Sequence, residues 1–199
     1  KDSSLKSVVL GLGGLHTQRS FLGCIGHLMA ESGLKELLEL VYANNTVIHM
    51  LTGKAIARSV RGHLLVDAEL NTMLVADAYN LPLPLQTSDT DEIAEEADDS
   101  GMTERGFEEG QPPGNALIKE ACKLYHQLMD ESTSTVEVCQ SEALRKIADD
   151  IEIYVSSLGN LRTARLWIQY MDMIDILRRF IKAERTGDWE LHLQAVHDM

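Results

Sequence analysis

Apolar residues recur at helical spacing along most of this chain, and the exception stands at its start. Leu5 to Leu10, with the β-branched pair Val8 and Val9, predicts a short strand. A glycine turn through Gly11, Gly13 and Gly14 follows, and Leu15, Leu22, Ile25 and Met29 then mark a helix. Each glycine inside a helix costs about 1 kcal/mol relative to alanine. Gly23 and Gly26, with Ala30 four residues on, therefore predict a face against which another element packs very closely.

Further on, Leu34, Leu37, Leu38 and Val41 predict a helix to Tyr42, which Asn44-Asn45 breaks before a short turn from Thr46 to Leu51. A long helix is expected from Gly53 to Tyr79; its second half, from Leu64, is apolar nearly all round, as in a helix buried on most sides. Asn115 is placed to cap a helix to about Asp130, and Ser134 or Thr135 to begin one reaching Ser156. Gly159-Asn160 separates that helix from Leu161 to Glu184, whose stripe is Trp167, Tyr170, Met171, Ile174, Leu177 and Ile181. Thr186-Gly187-Asp188 ends this helix and caps the last, which starts at Trp189.

Between the two helical stretches, Pro82 and Pro84 stop the preceding helix, an acidic run follows, and Gly110-Gln-Pro-Pro-Gly114 closes the segment. Its few large apolar residues cannot offset the entropy of ordering it. The expected plan is a strand plus helices over 1–79, an acidic disordered linker over 80–114, and a helical block over 115–199 packing on the first. The linker reads as an inert tether or as an intramolecular mimic of nucleic acid covering a basic patch. The fold class is mostly α.

Charge changes the picture only once it is located. The 199 residues carry a net charge of −13 from 31 acids and 18 bases. Ten of those acids, and only Arg105 among the bases, fall between Asp89 and Glu109, which leaves 21 acids against 17 bases elsewhere. The helical parts are close to balanced, so the acidity of the whole does not exclude a nucleic-acid partner. No apolar run approaches the roughly 18 residues of a membrane span, and the N-terminus lacks the apolar core of a signal peptide. An intracellular protein, nuclear or cytoplasmic, is expected. Cys24, Cys122 and Cys139 are odd in number without a Cys-x-x-Cys pair, which predicts buried free thiols rather than a disulfide framework or zinc ribbon. A first residue of lysine and a last residue inside a helical pattern read as a fragment of a longer protein.

The candidate chemistry is sparse. Gly11, Gly13 and Gly14 fail the dinucleotide pattern because His16 holds the position of its last glycine, and no Gly-x-x-x-x-Gly-Lys-Ser/Thr occurs. His16 itself stands where strand gives way to helix, a place where helix N-terminal donors gather. Asp188 and His192 share one helix face at i, i+4, which is two ligands and no metal site. His63 and Asp67, at the same spacing, predict a partly buried hydrogen-bonded pair. Asp172 and Asp175 lie one turn apart, as clustered carboxylates of a two-metal nuclease would, but Asp175 stands three and four residues before Arg178 and Arg179, so ordinary surface ion pairs account for it. Lys54, Arg58 and Arg61 form a basic stripe in the N-terminal half of their helix, where the dipole disfavours cations, so a phosphate backbone or a partner's carboxylates would explain it. Arg178, Lys182 and Arg185 repeat the spacing near a helix C-terminus, where the dipole itself favours them.

Two stretches carry a resemblance: Leu12-Gly-Gly-Leu-His16 running into Ser20-Phe-Leu-Gly-Cys-Ile-Gly26, and Trp167-Ile-Gln-Tyr-Met-Asp-Met followed by Phe180-Ile-Lys-Ala-Glu-Arg-Thr-Gly-Asp-Trp-Glu-Leu-His-Leu193. Together they resemble repetitive open reading frames of animal genomes derived from mobile elements, over roughly residues 8–79 and 158–199. The resemblance implies a transposase remnant with a nuclease core of the ribonuclease H type. His16 would then lie beside the catalytic centre and Glu184 would supply an acid. Leu15 stands where that pattern has phenylalanine, and the segment that would hold a first catalytic aspartate precedes Lys1.

The expected function is nucleic-acid binding, with DNA as partner, through Lys54, Arg58 and Arg61, without demonstrable catalysis. No cofactor is expected, and a divalent metal only in a nuclease. The alternative is a helical protein-interaction module with a protein partner or a second copy, and no role at a membrane.

Overall fold

A computed structural model describes residues 13–82 and 113–199, and every regular element among them is an α-helix. The strand expected over Leu5 to Leu10, and the acidic segment after Pro82, lie outside the described residues. Among the described residues there is no sheet on which a ribonuclease H core is built. In chain order the helices are α1 (Gly14–Leu28), α2 (Leu34–Glu39), α3 (Asn44–Leu51), α4 (Ile56–Ala78), α5 (Pro113–Met129), α6 (Thr135–Gln140), α7 (Glu142–Leu158), α8 (Arg162–Thr186) and α9 (Trp189–Asp198).

Local chemistry sets several boundaries. Gly187 takes the left-handed conformation at φ 70° and ends α8, and the Asp188 carboxylate accepts the Leu191 N–H at 3.0 Å to start α9. Ser134 accepts the Glu137 N–H while Glu137 reaches back to the Ser134 N–H, a reciprocal cap that opens α6. The single helix expected from Ser134 to Ser156 is two: Ser141, with ψ 130°, leaves the helical region and divides α6 from α7. Asn115 lies inside α5, which begins two residues earlier, rather than capping it.

The described residues fall into two compact units. Those up to Leu70 and those from Gly159 to Met199 form one, and those between Asn71 and Leu158 form the other, so the grouping does not follow the expected division at 79 and 115.

In the first unit, Leu22 and Ile25 of α1, Val47 and Met50 of α3, and Tyr170, Ile174 and Leu177 of α8 are fully buried in one cluster. A fully buried side chain of this kind contributes about 1.5–3 kcal/mol. The close approach expected along α1 is made at Gly26, where a Cβ would overlap the Leu51 backbone carbonyl; Gly23 has only ordinary contact with Thr52. Helix α9 lies back along α8, joined to it by an ion pair from Arg179 to Asp198 at 2.8 Å. The expected pairing of Asp175 with Arg179 is present at 3.0 Å.

In the second unit, α5 and α6 both pack against α7. Two tyrosine–aspartate bonds reach α7 from the end of α4 and the residue after it: Tyr79 donates to Asp150 at 2.9 Å, and Tyr154 donates to Asp77. Burial and the Asp150 carboxylate push the Tyr79 phenol up to about 12. The second half of α4 is not buried all round, since Leu65 and Met73 are exposed.

All three cysteines are free, as expected, but exposed rather than buried. Cys24 shows why: its neighbours Phe21, Leu22 and Ile25 take the inward face of α1 and leave it on the outward one.

Candidate docking groove

Helix α4 enters the first unit with apolar and basic residues on adjoining faces. Ile56, Val60 and Leu64 recur at i, i+4, i+8, and the core covers them only in part. Opposite them, Ile181 of α8 is also half-buried. Leu15 and Gln18, from the first turns of α1, join the lining, and the three helices border an open groove of about 690 Å³. An adjoining recess of about 340 Å³ shares Val60, Leu64, Ile181 and Arg185 with it and extends it along α8 past Lys182 to Thr186.

Cations from both basic stripes border this space. Arg61 comes from α4, and Arg178, Lys182 and Arg185 come from α8. Sequence spacing treats the stripes as unrelated; the fold brings them to one groove. Arg178 is committed to the buried Asp67 carboxylate at 2.6 Å. Arg61, Lys182 and Arg185 have no carboxylate within ion-pairing distance among the described residues. Lys54 and Arg58 are likewise exposed and without such a partner, but they lie outside the groove lining.

The acid at the groove is Glu184, and its neighbours are informative. Its carboxylate stands over the start of α1, where a Cβ on Gly14 would meet it. Gly14 stands two residues before His16 along the chain. The histidine that holds that carboxylate is nevertheless His192, whose Nδ1 is 2.8 Å from Glu184 Oε1. His192 also stacks on Trp189 and packs against Phe180. His16 is exposed in the first turn of α1. Asp188 and His192 are thus used for a helix cap and for the contact with Glu184. Among the described residues, no three His, Cys, Asp or Glu side chains gather as a metal site would require.

Beneath the groove runs a buried polar seam. His63 and Asp67 do not form the expected pair along α4: the His63 Nδ1 is 2.9 Å from the Tyr170 hydroxyl, and Asp67 reaches Arg178. The His63 Nε2 has no hydrogen-bond partner, so either tautomer leaves one buried ring nitrogen unsatisfied. Burial lowers the His63 pKa from 6.5 to about 4 and, with the Asp67 charge, raises that of Tyr170. The seam joins α4 to α8.

One family's sequence profile spans residues 1–199. The chain belongs to that family, described as a domain of unknown function, DUF8702. No curated protein and no solved structure matches the chain. Lys182 and Arg185 were legible as part of a stripe, but the helix dipole explained them sufficiently in sequence. Their position opposite Arg61 is tertiary information. No helix among the described residues is long and apolar enough to cross a membrane.

Proposed function

We propose that this chain is a helical protein-interaction module which docks a segment of a partner protein in the groove between α1, α4 and α8. The observation that carries the reading is the groove floor: Ile56, Val60, Leu64 and Ile181 are only half covered by their own core and border open space. Exposed Leu15 and Leu65 extend that apolar surface at its edge. Contiguous apolar surface rimmed by charge is characteristic of interaction sites, and a groove between helices accepts an apolar helix face.

A second reading is DNA binding through Lys54, Arg58 and Arg61. It is favoured by the exposure of these residues, by their lack of carboxylate partners among the described residues, and by the resemblance to mobile-element reading frames. That resemblance also carries a ribonuclease H core with a strand at Leu5 to Leu10 and a site at His16 and Glu184. The engagement of Glu184 by His192 gives the catalytic part no support, and no chemistry is proposed for it.

Amide chemical-shift mapping on the full chain tests the two readings. An amphipathic helical peptide is expected to move resonances of Leu15, Val60, Leu65 and Ile181, and Leu15→Ser with Leu65→Ser is expected to abolish the effect. Shifts produced only by duplex DNA, and confined to Lys54, Arg58 and Arg61, would overturn the docking reading and establish the second.

A further inference from the structure

Resting on the groove reading, we infer that its occupant is an acidic amphipathic helix: two to three turns with an apolar stripe at i, i+3 or i+4, and i+7, flanked by aspartates or glutamates. Length, floor chemistry and charge argue for it separately.

Along α4 the lining runs from Ile56 to Leu65, nine residue steps or about 14 Å at the rise of an α-helix. Three anchors at i, i+4 and i+7 span about 10 Å, so they fit with a flanking residue at each end. The floor is aliphatic and no aromatic ring lines it. Stacking of unpaired bases, which favours aromatic platforms, has nothing to use here. A duplex presents sugars and phosphates, which leave an aliphatic floor uncovered.

The border is cationic, and most of its charge has no ion-pair partner among the described residues. Arg61, Lys182 and Arg185 have no carboxylate partner among the described residues, while Arg178 and Glu184 are each held by a neighbour, Asp67 and His192. Arg61 stands on α4 and the other two on α8, so these cations come from both helices that line the recess. Carboxylates beside the apolar stripe of a docked helix would find these cations, and a lysine-flanked helix would meet like charge. Charge complementarity of this kind selects between partners whose apolar contacts are equal.

The test uses the full chain and fluorescence anisotropy with four probes: a labelled synthetic helix of about 16 residues with leucines on one face and glutamates beside them; the same peptide with lysine for every glutamate; the same with serine for every leucine; and duplex DNA. The glutamate peptide is expected to bind roughly tenfold or more tighter than either peptide control. Arg61→Glu with Arg185→Glu is expected to erase that preference while the lysine peptide gains. Both arginines are exposed, and circular dichroism confirms that the variants fold.

Equal binding of the glutamate and lysine peptides, lost in Leu15→Ser with Leu65→Ser, would leave the groove reading intact and overturn the acidic partner. Failure of both peptides would overturn the groove reading itself. DNA binding indifferent to the two leucines would overturn both. Concentration-dependent self-association lost in the leucine variant would give the groove to a second copy and overturn the inference.

Discussion

Gly14 and Gly26 lie on the same helix, yet a Cβ on each would meet a different neighbour: the Glu184 carboxylate at the first and the Leu51 backbone carbonyl of α3 at the second. A carboxylate on a flexible stem can swing away, whereas a backbone carbonyl at the end of α3 can move only with its chain. Gly14→Ala is therefore expected to change stability by no more than about 0.5 kcal/mol. Gly26→Ala is expected to lose about 2 kcal/mol or more, because overpacking outweighs the gain in helix propensity. Urea unfolding of both variants checks this, and equal stabilities would contradict it.

His63 gives the first unit a pH-dependent stability with a defined sign. Its folded pKa of about 4 lies below the ordinary 6.5. Between these values the unfolded chain binds a proton that the folded chain refuses, so stability is complete above the upper value and falls as the pH drops toward the lower. The loss levels off below it at on the order of 3 kcal/mol. Unfolding free energies across this range should fall with acidification in the native chain and fall less steeply in His63→Leu. Parallel slopes would exclude the histidine as the cause.

Asp67 is nearly buried at 4 % side-chain exposure, while Arg178 keeps 53 %. Removing the arginine takes a charge-assisted bond away from a carboxylate that stays buried. Arg178→Ala is expected to cost about 2 kcal/mol, and Asp67→Asn with Arg178→Ala less than the arginine change alone, since no buried charge then remains. A double-mutant cycle in denaturant measures the coupling. Additive losses would show that the pair does not act as one.

Cys24, Cys122 and Cys139 are expected to react with an aromatic disulfide reagent in the native chain, without denaturant, releasing three equivalents. A thiol that reacts only after unfolding would contradict its exposed position.

What could be read in advance was mostly local. The end of α8 needs only a left-handed glycine and an aspartate cap, and Thr186-Gly187-Asp188 supplies both within three residues. Gly26 betrayed a close neighbour because a helix tolerates glycine poorly without one. Ser141 gave no such warning: serine suits helix starts, turns and interiors alike, so the division between α6 and α7 is not written in its type. The cysteines misled because small thiols usually go inside, and only the angular position of Cys24 beside three larger apolar residues places it out. The groove was least legible. It depends on which faces of α4 and α8 meet across more than a hundred intervening residues, and on Asp67 taking Arg178 rather than pairing with His63.

The discontinuity of the first unit has a consequence for how the protein comes into being. Leu22, Ile25 and Met50 find their cover on Tyr170, Ile174 and Leu177, which a ribosome adds more than a hundred residues later. At about 5–20 residues per second, the early helices wait several seconds with apolar flanks uncovered. Nascent chains halted before α8 should therefore be the species that chaperones hold, and release should follow the emergence of α8 rather than the completion of the residues between.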